Sequence, residues 1–235
     1  LLYIDGSNQN EQWFIGAAFD SLGLRYDRYD YLDATSNWKA PLVRGQDGLS
    51  NNGCTLYQLL GYRGVFINSG SNNITQFMWP EDFALISDWL TSAQDFGGGV
   101  PLGLVANGDG IAKALSVNAP TLLAKMGATH VEDAYSDFTG SHDTCVGIEA
   151  RLDLGSVYET ENSSADYEYD AYGNWCPQQF RFDVLGTAST GIGNRMYVDH
   201  DDLSETGFAQ VVNERLSEGG GGDGNYRTVL DGVSW

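Results

Sequence analysis

A chain of 235 residues, 42% of them apolar, can bury one large core, or one core with a substantial β appendage. Its 32 acidic residues against 12 basic ones give a formal charge of −20, which disfavours nucleic acid and anionic membrane as partners and suits high salt, divalent cations or plain solubility. No apolar run reaches the length of about 18 residues that a membrane-spanning helix needs, and 30 glycines against 5 prolines indicate many turns rather than a disordered chain.

In chain order, Leu1–Asp5 reads as a short apolar strand ending in the turn signal Asp5-Gly6-Ser7-Asn8. Glu11–Leu22 reads as a helix, with Trp13, Phe14, Ala17, Ala18 and Leu22 at helical spacing and Gly23 as its stop. In Leu24–Tyr31, Arg25, Asp27 and Asp30 interleave with Leu24, Tyr26 and Tyr29, as in a strand near a sheet edge. Residues 33–53 form a long Asn-, Gly- and Asp-rich loop, and Thr55–Leu60 a short helix or turn. Gly64–Asn68 is a third strand, with Ser69–Asn73 as its exit loop. Pro80 suits a first helical position, Glu81 and Asp82 suit the positive helix end, and Phe83, Leu85, Ile86, Trp89 and Leu90 form a buried stripe. Leu102–Ala106 is a fourth strand, and residues 109–126 hold one or two helices.

This alternation predicts an α/β fold over residues 1–128, a parallel sheet with helices on both faces. From residue 129 to 235 the pattern changes to short β segments: Cys145–Leu152, Gln179–Leu185, Arg195–Val198, Phe208–Val212 and Tyr226–Val233. They read as an antiparallel, β-rich portion packed on or completing the core sheet. The chain starts without Met inside a strand pattern and shows no signal-peptide layout, so it reads as a piece of a longer precursor. Two glycosylation sequons, Asn73-Ile74-Thr75 and Asn162-Ser163-Ser164, are compatible with secretion.

The cysteines, Cys54, Cys145 and Cys176, fit no zinc spacing, and the histidines are scattered. Cys145 and Cys176 share the β-rich half and are the expected disulfide, which leaves Cys54 over. The turn Asp5–Asn10 lacks Gly-x-Gly-x-x-Gly, so no nucleotide cofactor is expected. Calcium is the cation to consider, because Asp199, Asp201 and Asp202, and Asp166 and Asp170, concentrate oxygen ligands. Both runs read equally as solvated acidic loops. Tyr158, Tyr167, Tyr169, Tyr172 and Trp175 offer either a recognition surface or core filling.

In open parallel sheets ligands gather at the carboxyl ends of the strands. Those ends here are polar: Asp5, Asn68-Ser69 and Asn107-Asp109. The strand-to-helix turn Asn107-Gly108-Asp109-Gly110 lies where α/β enzymes present a nucleophile, yet it holds neither Ser nor Cys. A hydrolase would need a displaced constellation: Asp5, Ser69 and Asp109, with His142 (or His130) as base and Asp143 as its partner. Asp5 and Asp109 could also be drawn as a carboxylate pair for glycoside hydrolysis.

Four segments carry a family resemblance: Leu2–Gly6, Phe19–Asp30, Tyr62–Gly70 and Tyr226–Ser234. Together they resemble the class I glutamine amidotransferase-like (flavodoxin-like) modules of large secreted bacterial proteins, over most of residues 1–130 and, more loosely, the last strand. The enzymes of that superfamily place a Cys in a Gly-x-Cys-x-Gly elbow. The elbow falls here on Ala106–Gly110, with Gly108 in the nucleophile's place. The resemblance therefore implies a non-catalytic relative: a structural or interaction module, secreted or at the cell surface, whose partners are other domains of the parent protein or a surface or glycan ligand. A secreted hydrolase with a displaced site and a calcium-dependent carbohydrate- or surface-binding domain stand as the alternatives.

Overall fold

The computed structural model describes residues 1–7, 11–31, 42–43, 53–70, 78–92, 101–108, 110–133, 147–150, 183–198, 205–215 and 225–232. Through them run β1 (Leu2–Asp5), α1 (Glu11–Ser21), β2 (Asp27–Asp30), α2 (Leu56–Leu59), β3 (Gly64–Asn68), α3 (Pro80–Ser92), β4 (Leu102–Asn107), α4 (Ile111–Asn118), α5 (Pro120–Lys125), β5 (Ala128–Asp133), β6 (Gly147–Ala150), β7 (Asp183–Thr187), β8 (Ile192–Val198), β9 (Glu205–Arg215) and β10 (Tyr226–Asp231).

The strands join in one mixed sheet of order β2-β1-β3-β4-β10-β9-β7-β5, with β8 pairing β9 and β6 pairing β8. The pairs β2–β1, β1–β3, β3–β4 and β4–β10 are parallel. From β10 outward every pair is antiparallel. The chain is thus mixed α/β, and β10 divides the two styles of pairing.

Alternation along the strands sorts the core into two layers. Leu2, Ile4, Val65, Ile67, Leu104, Ala106 and Leu230 pack with Phe83, Ile86, Trp89 and Leu90 of α3, Ile111 and Leu115 of α4, and Leu122 and Leu123 of α5. The opposite positions Tyr3 and Phe66 meet Ile15 and Phe19 of α1. Phe19 makes edge-on contacts to Tyr3, Tyr26 and Phe66, with ring centroids 5.8, 5.1 and 5.3 Å apart.

Several expectations change. The buried stripe of α1 is Ile15 and Phe19, one turn apart, whereas Trp13, Phe14 and Leu22 are 73%, 75% and 72% exposed. The helix carries apolar residues on two sides, and the Tyr3–Phe66 surface accepts only the side bearing Phe19. The second strand shrinks to Asp27–Asp30, because Leu22 and Gly23 form a turn and Leu24–Tyr26 lead in without pairing. Residues 111–125 hold two helices: Pro120 forces Ala119 out of helical geometry (φ −149°, ψ 56°) and opens α5 at its first turn. Strand β5 was not anticipated, and β8 and β9 run longer than their apolar centres suggest. Among the described residues no helix is long and apolar enough to cross a membrane.

Candidate functional site

The carboxyl ends of the parallel strands form one polar row. Register pairs Asp5 with Asn68, Asn68 with Asn107, Asn107 with Asp231, and Asp231 with Gln210. Register partners leave a sheet on the same face, here the one that carries Tyr3 and Phe66. The row is buried: Asp5 is 2% exposed, Asn68 and Asn107 1%, Asp231 5% and Gln210 7%. It lies where strand order reverses, since the chain passes from β1 to β2 on one side and then to β3 on the other, which is where open α/β sheets leave a crevice.

The two ends of the row are supported differently. Toward the antiparallel side, Asn194 Nδ2 donates to Gln210 Oε1 and Gln210 Nε2 donates to Asp231 Oδ1, both at 2.5 Å. Toward β2, Arg28 Nη2 lies 2.8 Å from Asp5 Oδ2 and its Nε 2.6 Å from Asp30 Oδ1. Ser7 N donates to Asp5 Oδ1 at 3.0 Å, and Gly70 N to Asn68 Oδ1 at 2.9 Å. Burial still pushes the Asp5 carboxyl above its ordinary value, against the pull of the Ser7 N–H and the Arg28 guanidinium. The Tyr3 hydroxyl, held near Asp5 and Asn68 at the base of the row, is pushed up by burial and then by the Asp5 charge.

At the centre, hydrogen bonding is incomplete. Neither Oδ1 nor Nδ2 of Asn107 has a hydrogen-bond partner, whereas the Tyr3 hydroxyl interacts with the side chains of Asn68 and Asp5. An unsatisfied buried group of this kind costs about 1–3 kcal/mol.

Position 108, in the turn after β4, is closed to a side chain. Gly108 has φ +121°, and a Cβ built there would collide with Ser69 Oγ and come within 2.9 Å of the Gly70 backbone. The Ser69 hydroxyl is buried and donates to the Asn107 carbonyl at 3.3 Å. Gly110, also left-handed (φ 72°), offers α4 no side-chain cap. Asp183 of β7 supplies it: its Oδ2 accepts from Ala112 N at 2.7 Å, while His130 Nε2 lies 3.5 Å from its Oδ1.

Of the expected site residues, Asp5 and Ser69 come together around Asn68. His130 faces Asp183. Asp109, His142, Asp143, Cys145, Cys176, Asp166, Asp170, Asp199, Asp201 and Asp202 lie outside the described residues, so neither the disulfide nor the calcium runs can be placed. Among the described residues no group of three or more His, Cys, Asp and Glu side chains is arranged to hold a metal ion. Cys54 is a free, half-buried thiol, pushed up by burial and then by the Asp82 charge, so the nucleophilic thiolate is disfavoured.

Sequence reasoning missed Asp231, Gln210, Asn194, Asp183 and Arg28. A signal for Asp231 was present: Ile4-Asp5-Gly6, Ala106-Asn107-Gly108 and Leu230-Asp231-Gly232 all end a strand with an apolar residue, Asp or Asn, and Gly.

No family model matches this chain, and no curated protein matches it in sequence.

Proposed function

We propose that this chain is a non-catalytic interaction module, flavodoxin-like in its core and related to the amidotransferase-like modules of large secreted bacterial proteins. The run β2-β1-β3-β4, followed by parallel β10, has the strand order of flavodoxin-like sheets and supports the fold reading. The observation that carries the functional reading is Gly108. At the turn where this class of fold presents a nucleophile, Ser69 and Gly70 fill the space a side chain would need. Ser69 is a poor substitute, since its hydroxyl is buried against a backbone carbonyl. The polar row then serves recognition rather than turnover, and the acidic composition and sequons are compatible with a secreted or cell-surface setting.

The test is a turnover screen of the full chain against chromogenic esters, amides and glycosides. The expected rate equals that of heat-denatured protein. Turnover abolished by Ser69→Ala or Asp5→Asn would overturn the reading.

A further inference from the structure

We infer that the outer face of α1 is the seam of a weak, symmetric dimer, in which α1 of one copy crosses α1 of a second copy antiparallel with Ala18 against Ala18. The inference goes beyond the reading of the strand ends and does not depend on it.

Toward the sheet, α1 buries Ile15 and Phe19. Helical periodicity places Trp13, Ala17 and Ser21 in one row on the outer side, and Phe14, Ala18 and Leu22 in the row beside it. Leu22 continues the last turn, since its N–H still donates to the Ala18 carbonyl at 3.0 Å. All six residues are exposed, Trp13 by 73%, Phe14 by 75% and Leu22 by 72%. The two rows contain no ionisable side chain, although the chain carries a charge of −20. Their one polar side chain is already satisfied, because Ser21 Oγ donates to the Ala17 carbonyl at 2.8 Å. Covering this face therefore strands neither a charge nor an open hydroxyl donor.

The order of sizes selects a second copy as the occupant. Phe14, Ala18 and Leu22 run large, small, large, so a copy turned about a two-fold axis at Ala18 lays Phe14 against Leu22 twice. Such self-complementarity is what an isologous interface requires. Alanine at the crossing lets the two helices interlock their ridges at close range. Area sets the strength. At about 150–250 Å² for a whole side chain of this size, the exposed parts of Trp13, Phe14 and Leu22 amount to about 330–550 Å² per copy. A pair removes about twice that before the alanines are counted, which is the bottom of the range for specific interfaces and fits a weak, concentration-dependent dimer. A membrane surface fits less well, since α1 contains no Lys or Arg to meet the headgroups. Two bodies of charge −20 repel one another, so the pair should tighten as salt screens them.

The experiment is sedimentation equilibrium of the full chain at low and high NaCl, beside Ala18→Glu, Phe14→Ser and the control Tyr57→Ser, whose ring is 81% exposed on α2. The wild-type mass should pass from one chain toward two with a Kd of about 10–100 μM. Raising NaCl from about 0.1 M to about 1 M should lower that Kd about threefold or more. Ala18→Glu sets two carboxylates against each other at the axis and should weaken the pair at least about tenfold. Phe14→Ser should weaken it about tenfold, and Tyr57→Ser should leave it unchanged. If Ala18→Glu does not fold, Phe14→Ser alone decides. A one-chain mass up to about 500 μM, well above the expected Kd, overturns the proposal and leaves the face to a different partner. A mass that grows past two chains, a pair that weakens with salt, or an equal loss with Tyr57→Ser overturns it as well.

Discussion

The two faces of the sheet are built to different ends. One carries Leu2, Ile4, Val65, Ile67, Leu104 and Ala106 into a continuous apolar layer under α3, α4 and α5. The other packs Tyr3 and Phe66 against α1 and turns polar one step later at Asp5, Asn68 and Asn107. Among the described residues the apolar layer leaves Trp89 Nε1 without a partner, whereas the polar row leaves both side-chain amide atoms of Asn107 open. The lesson is a division of labour: most of the apolar burial is concentrated on one side, and the polar strand ends on the other.

Breaking that division should produce graded effects. The largest belongs to Trp89→Ala, which empties the centre of the apolar layer and should cost about 3–5 kcal/mol in chemical denaturation. A loss below about 1 kcal/mol would mean that this layer is not the main source of stability. Gly108→Ala comes next at about 2–3 kcal/mol, from the left-handed backbone together with the collision at Ser69. Adding Ser69→Gly should recover part of that loss, and a side chain tolerated without cost would reopen the elbow.

The pH response is smaller and has a defined sign. Asp5 and Asp82 both sit above their ordinary value of 3.8, chiefly through burial, so the folded state holds their protons more tightly than the unfolded chain does. Their stabilising contribution is complete below that value and is lost as pH rises through the folded-state values. Self-repulsion at a charge of −20 acts in the same direction. The melting temperature should therefore climb as pH is lowered through the folded-state values toward 3.8, and Asp82→Asn should flatten the climb; a steady fall over that interval would contradict it. The smallest effect is that of Phe14→Ser on the outer side of α1, expected within about 0.5 kcal/mol of wild type because the ring is 75% exposed.

Legibility in the sequence followed how local the cause was. Alternating apolar runs and Pro or Gly punctuation were enough to locate β1, β3, α3 and β4 to within a residue or two, and the polar character of their carboxyl ends was plain. Which side of α1 faces inward was not, because Trp13 and Phe14 look as apolar as Ile15 and Phe19, and only the partner surface of Tyr3, Tyr26 and Phe66 chooses between them. Nor was the tertiary cap of α4, since Asp183 and Ala112 are 71 positions apart. Asp82 illustrates both kinds of cause. Its place in the first turn of α3 is a local signal, but its carboxylate also accepts from Tyr31 Oη at 2.6 Å and Val43 N at 2.9 Å, tying three distant segments together.

The position of β10 has a consequence for how the molecule assembles. It is the last described strand in chain order, yet it is wedged between β4 and β9. Until residues 226–231 leave the ribosome, β4 and β9 have no common neighbour, and each exposes an unpaired edge to whatever else is nearby. Synthesis would thus pass through a stage with two half-sheets awaiting their keystone, and a premature stop ahead of Tyr226 should yield aggregates rather than a smaller working domain.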